Sequence, residues 1–490
     1  MQKDYGKKIG QATKWSSITE IFVKLVSPFV NMVLARLLAP EAFGMVATIT
    51  MVISFTEVFT DAGFQKYIIQ HEFKDKEELD KNTNVAFWTN FSVSCLICVI
   101  IFIFRHSIAT FVGSPGLGNA ISIASVSIIL VAFSSIQMAR YKRDFDFKTL
   151  FFVRMGTALI PLVITIPLAM VLRNYWALLL GTMAINLFNA VVLTWKSKWK
   201  PKFYYSFSIL KEMFAFSMWT LFESISIWLT THIDIFIVGS FLNEHFVGLY
   251  KTSMTTINAY MSIITSAVIP VLFSALSRYQ DDEERFKGTY FTFQRFTAML
   301  VIPMGFGMYL FSDTVTNILL GSQWLEASGF IGLWGLTSAL AVVYSHFSSE
   351  VYRSKGQPKV SLIVQVTHMI VMIPVLYYFV GFGFKALYLS RSLVRFQMIF
   401  TAMFIMHFMY KIRIPDVVKN TLPMIVCSVI MSVAGYLLRL VSSNLAWQIF
   451  AVIICAGVYF AALFALFPKI RREILETPQA KKIVARVIKR

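Results

Sequence analysis

Charged residues are scarce in this sequence of 490 residues. Asp, Glu, Lys and Arg together make up 14% of it, whereas 57% is hydrophobic and the mean hydropathy is +0.66. Soluble domains contain about 25% charged residues, so this composition excludes a large soluble domain. Long apolar runs are frequent instead, and roughly 20 apolar residues are enough for a helix to cross the hydrocarbon core of a bilayer.

Acidic residues are rarer than basic ones, with 26 Asp and Glu against 45 Lys and Arg and a net charge of +19. The basic residues concentrate in every second connection between apolar runs. The alternate connections contain only four basic residues, which are Arg105, Arg173, Lys385 and Arg439. Cytoplasmic loops are enriched in Lys and Arg and face anionic lipid. The pattern predicts cytoplasmic termini, and membrane lipid rather than nucleic acid as the partner of the basic loops.

Cysteine is also scarce and carries no visible chemistry. Cys95 and Cys98 form a CxxC spacing, but it lies inside an apolar run, as do Cys427 and Cys455. Buried thiols of this kind usually pack as small hydrophobic side chains. The sequence also contains no GxxxxGK[ST] nucleotide-binding motif. We therefore expect no metal and no cofactor.

The apolar runs predict an all-α integral membrane protein with about fourteen transmembrane helices. The predicted spans are 14–38, 43–66, 84–104, 119–139, 149–171, 175–195, 213–241, 246–274, 288–311, 326–349, 359–380, 383–408, 419–440 and 446–467.

A weak internal repeat divides these spans into two halves. One constant offset places Gly44 on Gly248 and Thr48 on Thr252. Parallel repeats related by an axis along the membrane normal are a transporter architecture. The predicted domains are an N-terminal lobe over 1–195, a cytoplasmic linker over 196–212, a C-terminal lobe over 213–410, a trailing helix pair over 411–467 and a basic cytoplasmic tail over 468–490.

Several charged residues fall inside the predicted spans, where each costs roughly 2.5–3.5 kcal/mol at mid-bilayer. Such groups are expected to face protein or water and to have partners. Glu57 and Asp61 share one face of the second span and, like the other acids, are candidates for ion coupling or for structural ion pairs. Matched depth predicts three ion pairs, namely Glu20 with Lys24, Asp234 with Lys251, and Glu223 with Arg295.

Two cations in the twelfth span stand apart from these pairs. Arg391 and Arg395 share a helix face, and no acid occurs between Glu350 and Asp416. Either an acid from another helix meets them, or they project into a hydrated space that can receive an anion.

Cations recur on spans 1, 8, 9 and 12, whereas a cation pump would favour carboxylates. Arg offers a planar fork that suits phosphate oxygens, and Lys offers a point charge. We therefore predict an anionic, amphiphilic substrate. Polar and aromatic residues on spans 7 and 8 could receive sugar hydroxyls, although polar faces also hold helices together. The chosen candidates are Trp219, Trp228, Asn258 and Tyr260.

The stretch 34–70 resembles the first helix pair of the polysaccharide transporter family, the Wzx-type flippases of the multidrug/oligosaccharidyl-lipid/polysaccharide exporter superfamily. The likeness lies in the LAR-LL-P-E-FG corner and in the following DAGF and IIQ. The segments 234–253 and 269–282 are similar to the same family. The segment RYKRDFDFK (140–148) resembles the branch that includes colanic acid and teichuronic acid exporters. The resemblance covers essentially the whole chain.

This resemblance implies two six-helix lobes, a trailing helix pair and transport by alternating access. It also implies a cationic cavity that receives the diphosphate of an undecaprenyl-linked oligosaccharide in a bacterial inner membrane, for O-antigen, capsule or exopolysaccharide assembly. A polysaccharide polymerase and a chain-length regulator are candidate partners. The candidate diphosphate-binding residues are Lys24, Lys251 and Arg295 by resemblance, with Arg391 and Arg395 added from the sequence.

Two other functions remain open at this stage. A cation-coupled drug or metabolite exporter of the same superfamily would use Glu57, Asp61 and Asp234 as its core. A membrane polymerase or ligase would need a sizeable outer loop, but the longest outer connections, 105–118 and 312–325, are short. We therefore predict a transporter without covalent catalysis.

Overall fold

The computed structural model of the protein describes residues 2–61 and 63–476. Among these residues the chain is helical, with no β-strand, and short 3-10 or π-helical turns adjoin α5, α8, α14 and α15 as defined next. The α-helices are α1 (Gln2–Leu37), α2 (Pro40–Asp61), α3 (Phe64–Gln70), α4 (Lys76–Phe111), α5 (Gly118–Ala124), α6 (Val126–Arg143), α7 (Phe147–Ile160), α8 (Ile166–Leu172), α9 (Tyr175–Lys196), α10 (Phe207–Phe241), α11 (Glu244–Arg278), α12 (Glu283–Leu310), α13 (Ser312–Leu319), α14 (Ser328–Ala341), α15 (Phe347–Ser354), α16 (Pro358–Val380), α17 (Phe384–Tyr410), α18 (Ile414–Val441), α19 (Leu445–Leu466) and α20 (Pro468–Glu476).

The number of membrane-spanning segments agrees with the prediction from the sequence. Thirteen helical segments of the described chain are long and apolar enough to cross a membrane. The number rises to fourteen when α12 and α13, which meet at a bend of 95°, are taken as one span. The prediction of an all-α integral membrane protein with about fourteen spans is therefore confirmed. Helices α10 and α11 have 35 residues each, about 50 Å of helix, and so extend beyond a hydrocarbon core of about 30 Å.

Polar side chains start several helices where the chain turns back toward the membrane. Asp75 accepts a hydrogen bond from the backbone of Glu78, and Asp146 accepts one from Thr149. Such N-caps satisfy amides that have no partner within the helix. At the end of the second predicted span, Gly63 adopts a left-handed conformation (φ 80°). The span predicted as 43–66 is consequently divided into α2 and the short α3.

The chain forms two compact units. Unit 1 comprises the residues up to Thr252 together with Leu376–Ala386, and unit 2 comprises the remaining described residues. Unit 1 thus includes α10 and the first part of α11. The predicted lobes over 1–195 and 213–410, with the trailing pair, stay a prediction. Residues 477–490 of the predicted basic tail lie outside the described residues.

A buried aromatic cluster joins α3, α4, α6 and α10 within unit 1. Its members include Phe64, Tyr67, Phe87 and Trp199, and the rings of Phe87 and Trp199 are 5.9 Å apart. The Tyr67 hydroxyl donates to Glu212 at 3.3 Å. Burial, and secondarily the Glu212 carboxylate, raises the pKa of Tyr67, so this phenol remains a hydrogen-bond donor at physiological pH.

Unit 2 is built around α12, which packs against α14 and α18. Its core contains large rings that are almost fully buried, and their polar atoms are paired. The Tyr352 hydroxyl donates to the carbonyl of Ala402, and the Tyr459 hydroxyl donates to that of Met299, each at 3.0 Å. Such pairing matters because a buried polar group without a partner costs roughly 1–3 kcal/mol.

Arg143, in the RYKRDFDFK segment, closes the C-terminal end of α3. One of its guanidinium nitrogens donates to the carbonyl oxygens of Ile68 at 2.8 Å, Ile69 at 3.3 Å and His71 at 2.7 Å. The guanidinium also lies 4.7 Å from the centre of the Phe73 ring. The last carbonyls of a helix have no partner within it and carry partial negative charge. The α6 arginine therefore supplies a cation that the last turn of α3 itself lacks.

Replacing Arg143 with Gln is expected to lower the free energy of unfolding by roughly 1.5–3 kcal/mol, the range for hydrogen bonds to a charged group. Thermal unfolding of the purified protein in detergent measures the change. Lys148 is exposed on the same segment, and Lys148→Gln serves as the control, with an expected change within about 0.5 kcal/mol. Equal losses in the two variants would contradict the role given to Arg143.

Candidate substrate-binding site

Two cations and one acid meet between α1 and α7 in unit 1. Lys24 Nζ lies 3.8 Å from Glu20 Oε2, and Arg154 Nη1 lies 3.2 Å from Glu20 Oε1. The Trp15 and Phe151 rings, 4.8 Å apart, hold the two helices together beside the charges. The predicted Glu20–Lys24 pair is confirmed, and Arg154 joins it.

This Glu20 cluster (Glu20, Lys24 and Arg154) keeps an excess of one positive charge. Its side chains are 50%, 29% and 46% exposed, respectively, so they are not sealed from their surroundings. One carboxylate cannot neutralise two cations, and the lysine and the arginine both retain donors. Charge-assisted bonds to phosphate or carboxylate oxygens are among the strongest that such donors form. The cluster can therefore receive an anion without first breaking a buried ion pair.

The predicted pair of Glu223 and Arg295 is wrong. Glu223 instead pairs with Lys66 at 2.6 Å, and both side chains are about half exposed. Helix α10 packs on α2 and α3 within unit 1, which brings Lys66 of α3 to the Glu223 carboxylate. Matched depth alone could not distinguish this lysine from an arginine much later in the chain.

Arg295 is bound to the end of the described chain. Its Nη1 lies 2.6 Å from both carboxylate oxygens of Glu473 in α20, and its Nε donates to Asn420 Oδ1 at 2.9 Å. The amide of Asn420 in turn donates to Gln294 Oε1 at 3.0 Å. The guanidinium, 27% exposed, is thus engaged by an acid that lies beyond the last predicted span.

The predicted pair of Asp234 and Lys251 stays a prediction. The buried Asp234 accepts a hydrogen bond from the Tyr250 hydroxyl at 3.1 Å. Lys251 remains a candidate cation.

Arg391 and Arg395 share one helix face, as predicted, and both lie on the same indole ring in unit 2. Their guanidinium carbons are 5.0 Å and 3.5 Å from the centre of the Trp334 ring. Arg395 also donates to the Ser338 hydroxyl, and Arg391 is only 7% exposed. An aromatic face attracts a cation more strongly when water is excluded, so Trp334 helps to hold two like charges near each other.

The candidate sugar-contacting residues have different surroundings. Trp228 is part of unit 1, where its indole donates to Ser54 Oγ at 3.0 Å and packs 4.6 Å from the Phe55 ring. In unit 2, the exposed Asn258 accepts a hydrogen bond from Trp334 at 3.3 Å, and Tyr260 is partly buried. The side chains of Trp219 and Asp61 lie outside the described residues, and the sugar-contacting role stays a prediction.

The start of α2 crosses the start of α11 at residues that the internal repeat relates. A Cβ atom added to Gly44 would lie 1.8 Å from the carbonyl oxygen of Glu244, and one added to Gly248 would lie 1.9 Å from that of Pro40. Glu244 stands to Gly248 as Pro40 stands to Gly44, so the two contacts are reciprocal. Reciprocal contacts of equivalent residues are the signature of a two-fold axis. The sequence repeat paired these glycines but did not predict that they touch.

A neighbouring pair of residues related by the same offset adds a polar side-chain contact to this crossing. Glu41 Oε1 and His245 Nδ1, again related by the repeat offset, lie 2.7 Å apart. We call the contact of Pro40, Glu41 and Gly44 with Glu244, His245 and Gly248 the corner crossing. It consists largely of backbone against backbone, because the glycines leave no side chain between the helices.

A family model described as "Polysaccharide biosynthesis protein" matches residues 33–329, more than half of the chain. The chain belongs to this family. The match confirms the resemblance that the corner over 34–70 suggested, and it extends from α1 into α14.

Relatives of this family member occur in bacteria. An "uncharacterized membrane protein in cps region" of Klebsiella pneumoniae is 22% identical over 471 residues, which cover 93% of this chain and 94% of the relative. The succinoglycan biosynthesis transport protein ExoT of Rhizobium meliloti is 24% identical over 315 residues, 64% of this chain and 63% of ExoT. The lipopolysaccharide biosynthesis protein WzxC of Escherichia coli is 20% identical over 324 residues, 65% of this chain and 64% of WzxC.

Solved structures share the fold of this family member. The lipid II flippase MurJ, in an inward closed conformation, has a TM-score of 0.75 at 16% identity and covers 93% of this chain and 99% of its own. An inward-facing multidrug resistance MATE family transporter of the MOP superfamily has a TM-score of 0.59 at 14% identity, with 81% and 99% covered. These similarities establish the helical architecture of a multi-pass membrane protein.

Replacing Trp334 with Leu is expected to destabilise unit 2 by about 3 kcal/mol or more, because a large buried side chain and two cation–π contacts are lost together. Trp334→Phe keeps a ring under Arg391 and Arg395 and is expected to cost clearly less. Thermal unfolding of both variants in detergent measures the difference. If Phe were no better than Leu, the ring would not be holding the arginines.

Proposed function

We propose that this chain moves undecaprenyl-diphosphate-linked oligosaccharide repeat units across the bacterial inner membrane by alternating access. The units would serve assembly of a surface polysaccharide such as O-antigen, capsule or exopolysaccharide. Family membership and the roles of the relatives ExoT and WzxC in polysaccharide biosynthesis support the pathway. The fold shared with a lipid II flippase supports transport of a lipid-linked substrate without covalent catalysis.

The physical task is to carry a polar head group through hydrocarbon. A sugar hydroxyl that loses its water without gaining a partner costs several kcal/mol in an apolar medium, and a diphosphate costs far more. A hydrated cavity that opens to one side at a time removes most of this cost, while the polyprenyl chain stays in lipid. The cavity then needs cations at membrane depth that are not fully neutralised.

The observation that carries this proposal is the excess positive charge of the Glu20 cluster. A cation in a membrane span costs roughly 2.5–3.5 kcal/mol, and one acid shared by two accessible cations reduces this cost only in part. We infer that Lys24 and Arg154 bind the diphosphate, with Lys251 as a further candidate. Arg391 and Arg395 form a second candidate pair on Trp334. Arg295 is bound by Glu473 in this conformation and would take part only after that pair opens.

The corner crossing supports alternating access. With the topology predicted from the basic loops, it lies at the outer membrane face, and we propose that it closes that face when the cavity opens inward. Few side chains interlock there, so opening the corner breaks the Glu41–His245 contact and a small area of backbone packing. A contact of this kind can form and separate repeatedly at low cost.

Removing the two cations of the Glu20 cluster with Lys24→Gln and Arg154→Gln is expected to slow flipping about tenfold or more, since each charge-assisted hydrogen bond contributes roughly 1.5–3 kcal/mol. Glu20→Gln is expected to act in the opposite direction and strengthen substrate binding, because it removes the competing acid. The measurement is flipping of a fluorescent undecaprenyl-diphosphate oligosaccharide in proteoliposomes, with protein quantity determined in parallel.

The paired, peripheral Lys287, bound to Glu283 at 2.6 Å, provides a control, and Lys287→Gln is expected to flip at the normal rate. A purely structural ion cluster would make the Glu20, Lys24 and Arg154 variants fail alike, and that result would refute the assignment. Resistance to lipophilic cations conferred by the normal protein would instead favour the drug-exporter alternative.

Gly44→Ala and Gly248→Ala are each expected to prevent closure of the corner crossing, because the added Cβ atom collides with backbone from either side. The assay is cross-linking of Glu41→Cys to His245→Cys by a short bifunctional maleimide, after replacement of the four native cysteines. The two glycine variants are expected to lose cross-linking to a similar degree and to stop transport.

Gly116→Ala is the matched control for this experiment, since a Cβ atom there meets nothing within 4 Å. It is expected to cross-link as the normal chain does. Normal cross-linking in Gly44→Ala, or a large difference between the two glycine variants, would show that the crossing is not a reciprocal gate.

A further inference from the structure

Residues 197–203, which follow α9, are neither helix nor strand, yet they are anchored to unit 1. The backbone amide of Lys202 donates to Asn84 Oδ1 at 2.8 Å, and its carbonyl accepts from the Trp88 indole at 2.9 Å. Trp199 is buried in the aromatic cluster. Lys200 donates to the carbonyl of Trp195 at 3.1 Å and so caps the end of α9. We call residues 195–203 the interfacial segment.

Side chains alternate in this segment as they do in an extended chain. Ser197 and Trp199 point into unit 1 and are buried, whereas Lys196, Lys198 and Lys202 are exposed. None of these three lysines forms an ion pair with a residue in the described ranges 2–61 and 63–476. The anchored backbone therefore presents a row of unneutralised cations away from the protein.

Two large rings are exposed beside these lysines. The Trp195 side chain is 76% exposed and the Phe203 side chain 94% exposed. Phe203 lies 4.6 Å from the Trp88 ring of α4, and Trp195 is in the last turn of α9. Both helices are candidate membrane spans, so the rings lie near the ends of spanning helices. Aromatic side chains concentrate at that boundary between lipid and water.

We propose that the interfacial segment binds the headgroups of anionic phospholipids. Lys198 and Lys202 contact the phosphates, and Trp195 and Phe203 insert between headgroups and acyl chains. Lysine stems reach along apolar surface while the ammonium stays in water, and anionic lipid attracts cations at the surface. A soluble acidic protein would meet the lysines equally well. The placement of Phe203 against a membrane-crossing helix favours lipid.

This binding is independent of the transported substrate, and its test contains no oligosaccharide lipid. The full chain is placed in nanodiscs of phosphatidylcholine and phosphatidylglycerol, and retained phosphatidylglycerol is counted by native mass spectrometry. Lys198→Gln and Lys202→Gln change only side chains and leave the backbone anchors to Asn84 and Trp88. Each is expected to weaken phosphatidylglycerol retention about fivefold, the effect of one lysine near an anionic surface.

The control is Lys385→Gln, because Lys385 is exposed and falls on the predicted opposite side of the membrane. It is expected to leave retention unchanged, and added salt is expected to weaken retention in the normal chain through screening. Equal retention in the Lys198 and Lys202 variants and the normal chain would overturn the headgroup assignment.

A second measurement tests the rings. Lipids brominated near the headgroup end of the acyl chain are expected to quench Trp195, seen as the difference between the normal chain and Trp195→Phe. Lipids brominated at the chain terminus are expected to quench it less. If Trp195 were not quenched by either lipid, the segment would not reach the bilayer, and the soluble-partner alternative would replace the proposal.

Discussion

The cost of holding a charged side chain at membrane depth governs most of this structure. Five cations of the described spans, Lys24, Arg154, Arg295, Arg391 and Arg395, have specific neighbours, and the neighbours differ in kind. Arg295 has a carboxylate on α20, Arg391 and Arg395 have an indole face, and Lys24 shares an acid with Arg154. In the last arrangement one acid faces two accessible cations, and an excess of positive charge remains. The difference between neutralised and retained charge is what separates structural cations from candidate binding residues.

Helix packing decides which neighbour each charge receives. Unit 1 unites α10 with α2 and α3, and this assembly brings Lys66 to Glu223 and Ser54 to Trp228. The corner crossing requires glycine on both sides, because any side chain would separate the backbones. The same close packing that fixes the ion pairs thus also brings the two backbones into contact at the corner crossing.

Local features were predictable from the sequence, whereas long-range partners were not. The Glu20–Lys24 pair and the shared face of Arg391 and Arg395 follow from helical spacing of four residues. The prediction of about fourteen spans follows from the number and length of the apolar runs. Glu473, the partner of Arg295, lies beyond the last predicted span. The break at Gly63, which separates α3 from α2 and positions Lys66, falls inside a stretch that the sequence predicted as one continuous span. The sequence gives the approximate depth of a charged residue in the membrane, but it does not give which helices are neighbours at that depth.

The reciprocity of the corner crossing has a consequence for the history of the chain. At a pseudo-dyad equivalent backbone atoms are approached from both halves, so a bulkier residue at position 44 collides with the Glu244 carbonyl and one at position 248 collides with the equivalent Pro40 carbonyl. The two halves of a duplicated gene can drift apart over most of their length, since their side chains meet different neighbours. At the corner crossing both halves must keep glycine, because a side chain at either position would separate the two backbones.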